Sequence, residues 1–274
     1  LSGSGANHAV YSSGSRAAGT SITATGSNNY NSLLDMGFNK FTFPLFGGFD
    51  GLDITEKEPF NNTDLESGTE TTNYAFNSIK RAIDSVSDPE VVECNLIVAP
   101  GITNESLTSH LLTVCENRRD ALGIIDLKGG FLPFTENNLG DNNISNIGNL
   151  DTVVSNLKAR GINTSYGCAY YPWVQITDTI NNATLWCPPS VVGLGVMGSS
   201  ETKSDIWLAP AGFNRGGLTE GSAGIPVIGV REKLTSEQRD KLYEANINAI
   251  ASFPSEGIVV FGQKTLQVTR SALD

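Results

Sequence analysis

The 274-residue chain reads as an α/β protein: a mainly parallel sheet flanked by helices, preceded by a polar, β/loop-rich N-terminal part. Three observations predict this. From about residue 71, short apolar runs alternate with segments of helical periodicity, the order of βαβ units. The helical segments carry capping residues at their ends. Residues 1–40, by contrast, hold 8 Ser, 6 Gly, 5 Asn and 3 Thr, a composition of turns and short exposed strands.

Within the polar part, Ser21-Ile22-Thr23-Ala24-Thr25 alternates weakly, as an exposed strand does. Phe41 to Phe46 is apolar and ends in Gly47-Gly48-Phe49-Asp50-Gly51, a sharp turn in which Gly-Gly and Asp-Gly accept positive φ. In Asn73–Asp88, the residues Ala75, Phe76, Ile79, Ala82, Ile83 and Val86 share one helical face, and Asp88-Pro89 is expected to stop that helix. Cys94–Gly101 follows as a buried strand with a turn at its end. Thr103 or Asn104 can cap a second helix with Leu107, Leu111, Leu112 and Cys115 inward. Ala121–Leu127 is the next strand, and 129–148 an Asn/Gly-rich loop. A helix over Asp151–Arg160 closes at Gly161, where a left-handed residue is favoured. Further strands are expected at Ser165–Tyr171, Ile206–Ala209, Ile225–Val230 and Gly257–Phe261. Thr235 with Gln238 has the capping-box form at the start of a helix ending near Glu244.

Composition narrows the function. Apolar residues are 39% and charged residues 17%, with 29 Gly. With 29 acids against 18 bases the net charge is −11, and no Lys/Arg run exceeds two residues. Duplex nucleic acid and anionic membranes both need a basic face, so neither is an expected partner. No apolar run approaches the roughly 20 residues of a membrane helix. The chain opens at Leu1 in a polar stretch without a signal pattern, and is read as a piece of a longer protein. Its 4 Cys form no CxxC or Cys/His cluster, so buried reduced thiols are expected and no zinc site.

Catalytic patterns are sparse. Gly193-Leu194-Gly195-Val196-Met197-Gly198 has the G-x-G-x-x-G spacing but follows Pro188-Pro189-Ser190 rather than a strand, so it reads as small residues letting a helix pack closely. The two histidines, His8 and His110, lie in a polar stretch and on a helix, and no GxSxG elbow occurs. Asp50/Asp53 and Glu56/Glu58 read as a solvated acidic loop. Asp126, at the end of a buried strand, is the acid most suggestive by placement, with turn capping or an ion pair as the plainer reading. Tyr170-Tyr171-Pro172-Trp173 joins a strand to a stiff surface segment and is either an interface anchor or a packed core end.

Several segments in order resemble the tail sheath proteins of contractile phages and related particles. Ala169-Tyr170-Tyr171-Pro172-Trp173-Val174 matches a YYPW strand. Pro188-Pro189-Ser190 matches a turn into a helix rich in small residues. Ile206-Trp207-Leu208-Ala209-Pro210-Ala211-Gly212 matches a W-x-A-P-A segment, and Gly257 to Leu266, with Gly262 and Thr265, a closing GxRTL-like strand. Asn246–Ile250 and the turn at Gly47, Gly48, Asp50 and Gly51 fit as well. Gln263-Lys264 replaces the usual Ala-Arg, and Gly193-Leu194-Gly195 a common Ala-Gly.

The resemblance implies a structural subunit of a contractile sheath, not an enzyme, with no cofactor and no catalytic triad despite a subtilisin-like core. Six subunits would ring an inner tube, rings would stack helically, and a baseplate would trigger contraction that drives the tube through the host envelope. The subunit would belong to the virion tail, assembled in the host cytoplasm. On this reading residues 1–46 are part of an additional domain and 47–274 the sheath core. The family's terminal arms add strands to a neighbour's sheet; they are expected to be missing here, leaving this piece monomeric. The alternatives are a hydrolase-type α/β enzyme using carboxylates near Asp126, and a surface-adhesion module built on the polar N-terminal part.

Overall fold

The computed structural model describes residues 65, 70, 73–128, 150–178, 180–219 and 226–269. Residues 1–46, the turn at Gly47, Gly48, Asp50 and Gly51, His8 and the 129–148 loop lie outside the described residues.

Helix α1 (Tyr74–Ser85) starts where the Asn73 side chain accepts from the Phe76 N–H at 2.9 Å. It buries Phe76 and Ile83, while Ala82 faces solvent. Strand β1 (Leu96–Val98) leads to α2 (Glu105–Arg118), capped by Asn104 and burying Leu107, Leu111, Leu112 and Cys115. Then come β2 (Leu122–Ile125), α3 (Leu150–Ala159) and β3 (Gly167–Tyr171). Gly161, with φ 61°, turns the chain after α3 as the left-handed stop requires. Strands β4 (Val174–Asp178) and β5 (Ala183–Cys187) precede α4 (Pro189–Lys203). The described chain is completed by β6 (Val227–Val230), α5 (Ser236–Glu244), β7 (Asn248–Phe253) and β8 (Gly257–Val260).

The main sheet has five strands in the order β1-β2-β3-β7-β8. The first three pairings are parallel and β7–β8 is an antiparallel hairpin. Alternate residues of these strands enter two cores. Ile125, Ala169, Tyr171 and Ala249 pack under α2, α3 and α5 through Leu111, Val153 and Leu242. Ile124, Cys168, Tyr170 and Ile250 pack under Val192 and Val196 of α4. Burial on both faces explains why the central strands read as unbroken apolar runs. Helix α4 comes close to the sheet at Gly193, where a Cβ would lie 2.6 Å from the Tyr170 ring.

Several expectations are corrected. Ile206–Ala209 is a turn, not a strand, with Ile206 and Trp207 exposed, because neither residue finds a strand neighbour. The closing strand ends at Val260. Residues 261–266 form no strand; an isolated bridge joins Leu266 to Thr164, and Phe261 and Leu266 donate their N–H groups to the Ala249 and Gly167 carbonyls. Helix α1 stops at Ser85, before Asp88-Pro89, where the Arg118 guanidinium takes the Val86 carbonyl at 2.5 Å. Of the two readings of the Tyr170–Trp173 segment, burial of Pro172 and Trp173 fits the packed core end rather than the surface anchor. A second sheet of three antiparallel strands, β5-β4-β6, is not among the expectations; only its strand β6 falls on an expected strand, Ile225–Val230. Its inner residues Val174, Cys187 and Val227 close the α4-side core.

Candidate functional site

Two groups of motif residues, Tyr171–Trp173 and Pro188–Ser190, lie near the ends of the parallel strands β3 and β2. Helix α4 begins at Pro189, with Pro188 as its N-cap and no side-chain cap of its own. A proline there lacks a donor, and Ser190 offers the first N–H in need of a partner. Asp126, just past β2, supplies it across the fold. Its Oδ1 accepts from the Ser190 N–H at 3.1 Å, and its Oδ2 accepts from the Ser190 hydroxyl at 2.7 Å and from the Gly101 N–H at 2.8 Å. One carboxylate thereby ties the β1 turn, the end of β2 and the start of α4.

Asp126 is fully buried, and burial pushes its pKa up from 3.8 to about 6 against the bonds from Ser190 and Gly101. Beside it, burial first and the Asp126 charge second push the Cys187 thiol up to about 11. Such a thiol stays protonated at neutral pH and is a poor nucleophile. Ser190 and Gly101 are structural donors to Asp126, so the arrangement acts as a joint. His110 lies elsewhere, on α2, with Nε2 2.6 Å from Asp84 Oδ1.

The Tyr171-Pro172-Trp173 corner is the second joint. The Tyr171–Pro172 bond is cis, and the chain passes there from the main sheet into β4. The buried Tyr171 hydroxyl donates to Glu232 Oε2 at 2.5 Å, and Gln238 Nε2 donates to Glu232 Oε1 at 3.1 Å. Gln238 is also the reciprocal partner of Thr235 in the capping box of α5. Burial first, then the bond to Glu232, pushes the Tyr171 phenol far above its ordinary value. The Trp173 carbonyl accepts from the Arg231 N–H at 2.8 Å. Val174 pairs with Cys187, so Trp173 and Pro188 flank the same end of the β4–β5 hairpin.

The remaining motif residues fall in two other places. Gly257 opens β8 with φ 75°, where a Cβ would press on Thr219. At Gly262 a Cβ would come within 2.9 Å of the Asn248 Cα. Thr265 lies half-buried in the same segment. Buried Asn248 donates to the Lys264 carbonyl at 2.8 Å and accepts from the Lys264 N–H at 2.6 Å, holding the segment against β7. Trp207 stands apart on the surface, 76% exposed. Ala209 gives its carbonyl to Arg215 Nε at 2.8 Å, and Pro210 follows it half-buried. The motifs thus mark joints of the backbone and do not converge on one cleft. Sequence reasoning overlooked Glu232 and the buried Arg118. For neither was there a local signal, because the partners lie 61 residues away for Glu232 and up to 32 for Arg118.

No protein-family model matches the chain. It is 28% identical over 208 residues to the tail sheath protein of Vibrio phage KVP40, covering 70% of this chain and 29% of that protein. It is 25% identical over 221 residues to the tail sheath protein of Enterobacteria phage T4, covering 77% of this chain and 31% of that one. Among solved structures, a contracted sheath complex of the extracellular contractile injection system PVC aligns with TM-score 0.49 and 21% identity, over 69% of this chain and 45% of the other. The chain spans less than a third of the length of the curated relatives it matches. In sequence, the chain is similar to part of the length of these phage tail sheath proteins.

Proposed function

We propose that this chain is the core of a contractile tail sheath subunit, which surrounds a tail tube and contracts to drive it through a host envelope. The observation that carries the reading is the sequence match to tail sheath proteins of two phages, along some seven-tenths or more of this chain. Its partners are other sheath subunits in stacked six-membered rings, the inner tube and a baseplate. Its place is the virion tail, after assembly in the host cytoplasm. Neither nucleic acid nor membrane is a partner on this reading, and no catalytic step is involved.

The architecture suits such an engine. Contraction needs a rigid body that repacks against its neighbours, with the energy held in the difference between two packings. The Asp126 and Tyr171 joints lock sheet, helices and side sheet into one body. We assign residues 47–274 to this core and 1–46 to part of an additional domain. The motif residues Gly47, Gly48, Asp50, Gly51, Tyr171, Pro172, Trp173, Pro188, Pro189, Ser190, Trp207, Ala209, Pro210, Gly257, Gly262 and Thr265 serve it structurally. The subtilisin-like layout of the family rests on the resemblance, supported by a mostly parallel sheet with helices on both faces.

Electron microscopy of the full-length protein tests this reading. Tubes or stacked rings are expected; a full-length protein that stays monomeric at high concentration, with no tubes in any salt, refutes it.

A further inference from the structure

Three phenylalanines, of which Phe261 falls within the closing motif, form an exposed aromatic patch. Phe213 meets Phe253 edge-on with centroids 5.2 Å apart, Phe253 meets Phe261 at 5.3 Å, and Phe213 lies 5.8 Å from Phe261. Phe213 and Phe261 remain 49% and 45% exposed. The patch sits at the β8 edge of the main sheet. That edge is already covered: Gly212 N–H bonds the Val260 carbonyl, Val260 N–H the Gly216 carbonyl and Leu218 N–H the Ile258 carbonyl. The edge therefore presents rings, not free backbone. The Arg239 guanidinium lies 5.2 Å over the Phe253 ring, and Arg215 is on the covering segment itself. Neither arginine forms an ion pair with a carboxylate among the described residues, although Asp240 follows Arg239 on α5 and Glu256 lies in the β7–β8 turn.

The opposite edge of the same sheet is β1, and the segment entering it is the complement. Val91 is 75% exposed, between the exposed acids Asp88, Glu90 and Glu93, with no Lys or Arg from 82 to 117. This knob is rigid. The side chain of Arg118, with 0% exposure, donates to the carbonyls of Val86, Val92 at 3.0 Å and Cys94 at 3.4 Å. An apolar tip ringed by three acids thus stands at one edge, and at the other an aromatic patch with Arg239 over it and Arg215 on its covering segment, both bonded to backbone carbonyls.

We propose that the Phe213–Phe253–Phe261 patch docks the Val91 knob of a second copy of this chain. Because the two surfaces lie at opposite edges of one sheet, the contact is head-to-tail and repeats from copy to copy, giving rings or helices rather than a closed dimer. The inference rests on the sheath reading and names one contact between its subunits. A single contact of this size is weak, and acts by summing over an array.

The test is photo-cross-linking of the whole chain carrying Phe213→benzoylphenylalanine, with the fully exposed Ile180 position as control. Cross-links are expected within residues 82–118, which contain Val91, mapped after digestion with an enzyme that does not cut at lysine. Glu90→Lys with Glu93→Lys should cut their yield about tenfold by placing like charges together. Mixing that variant with an Arg215→Glu, Arg239→Glu chain that carries the photo-probe should restore it. Circular dichroism checks that each variant folds. Cross-links mapping to other peptides, or a yield no greater than from position 180, overturn the proposal. The first of these outcomes leaves the sheath reading standing, since copies still associate; that reading falls only if the full-length protein forms no tubes.

Discussion

Asp126→Asn isolates the central joint of the fold. In the folded chain the carboxylate is buried, and its pKa rises from 3.8 to about 6 because desolvation outweighs the bonds from Ser190 and Gly101. A raised acid holds its proton more tightly folded than unfolded. Its contribution to stability is therefore greatest below the unfolded value near 3.8 and declines as pH rises through about 6. A shift of about two units amounts to about 3 kcal/mol in full, and about 1.4 kcal/mol of it falls between pH 5 and 7.5. The amide is not titratable. It also leaves one of the Gly101 and Ser190 N–H groups unpaired at a cost of about 1–3 kcal/mol, independent of pH. Urea unfolding followed by tryptophan fluorescence, run for both proteins at pH 5.0 and 7.5, reads the difference, and other titrations cancel. The variant should gain about 1.4 kcal/mol on the natural chain as pH rises across that range. A difference that is flat, or that moves against the variant, would refute the claim that burial outweighs the hydrogen bonds.

Gly193→Ala should lose about 1–3 kcal/mol by pressing a methyl into the Tyr170 ring, whereas Gly198→Ala, with nothing within 4 Å, should be neutral or stabilising; paired denaturant curves compare them. Tyr171→Phe removes the bond to Glu232 and should cost about 1.5–3 kcal/mol in the same assay without changing the circular dichroism of the native state. The thiols of Cys115, Cys168 and Cys187, raised to about 11, 12 and 11 by burial, should resist iodoacetamide at pH 8 while half-buried Cys94 reacts; mass spectrometry of native chain showing equal labelling at all sites would contradict this.

What was readable in advance follows from how far apart the interacting residues are. Asn104 and Thr235 cap helices whose first N–H groups are three residues away, so their roles stand in the local pattern. Gly193 in a helix of small residues announced close packing, though not that Tyr170 would be the neighbour. The antiparallel side sheet went unread because β5 exposes Thr184, Leu185 and Trp186 and lacks the clean alternation of a strand with one buried face. The Trp207 segment misled for the opposite reason. Its apolar run has the composition of a strand, but no neighbour pairs with it.

Local chemistry alone therefore determined the α/β class, the principal helices and parallel strands, the buried thiols and the likeness to sheath proteins, because periodicity, caps and motif order are written within a few residues. The tertiary structure alone decided what those motifs hold together. Asp126 reaches Ser190 across 64 residues, Tyr171 reaches Glu232 across 61, and Asn248 grips the Lys264 backbone across 16. A buried carboxylate or amide takes whichever donors the folded chain brings within hydrogen-bond distance, and that choice exists only once the layers have packed.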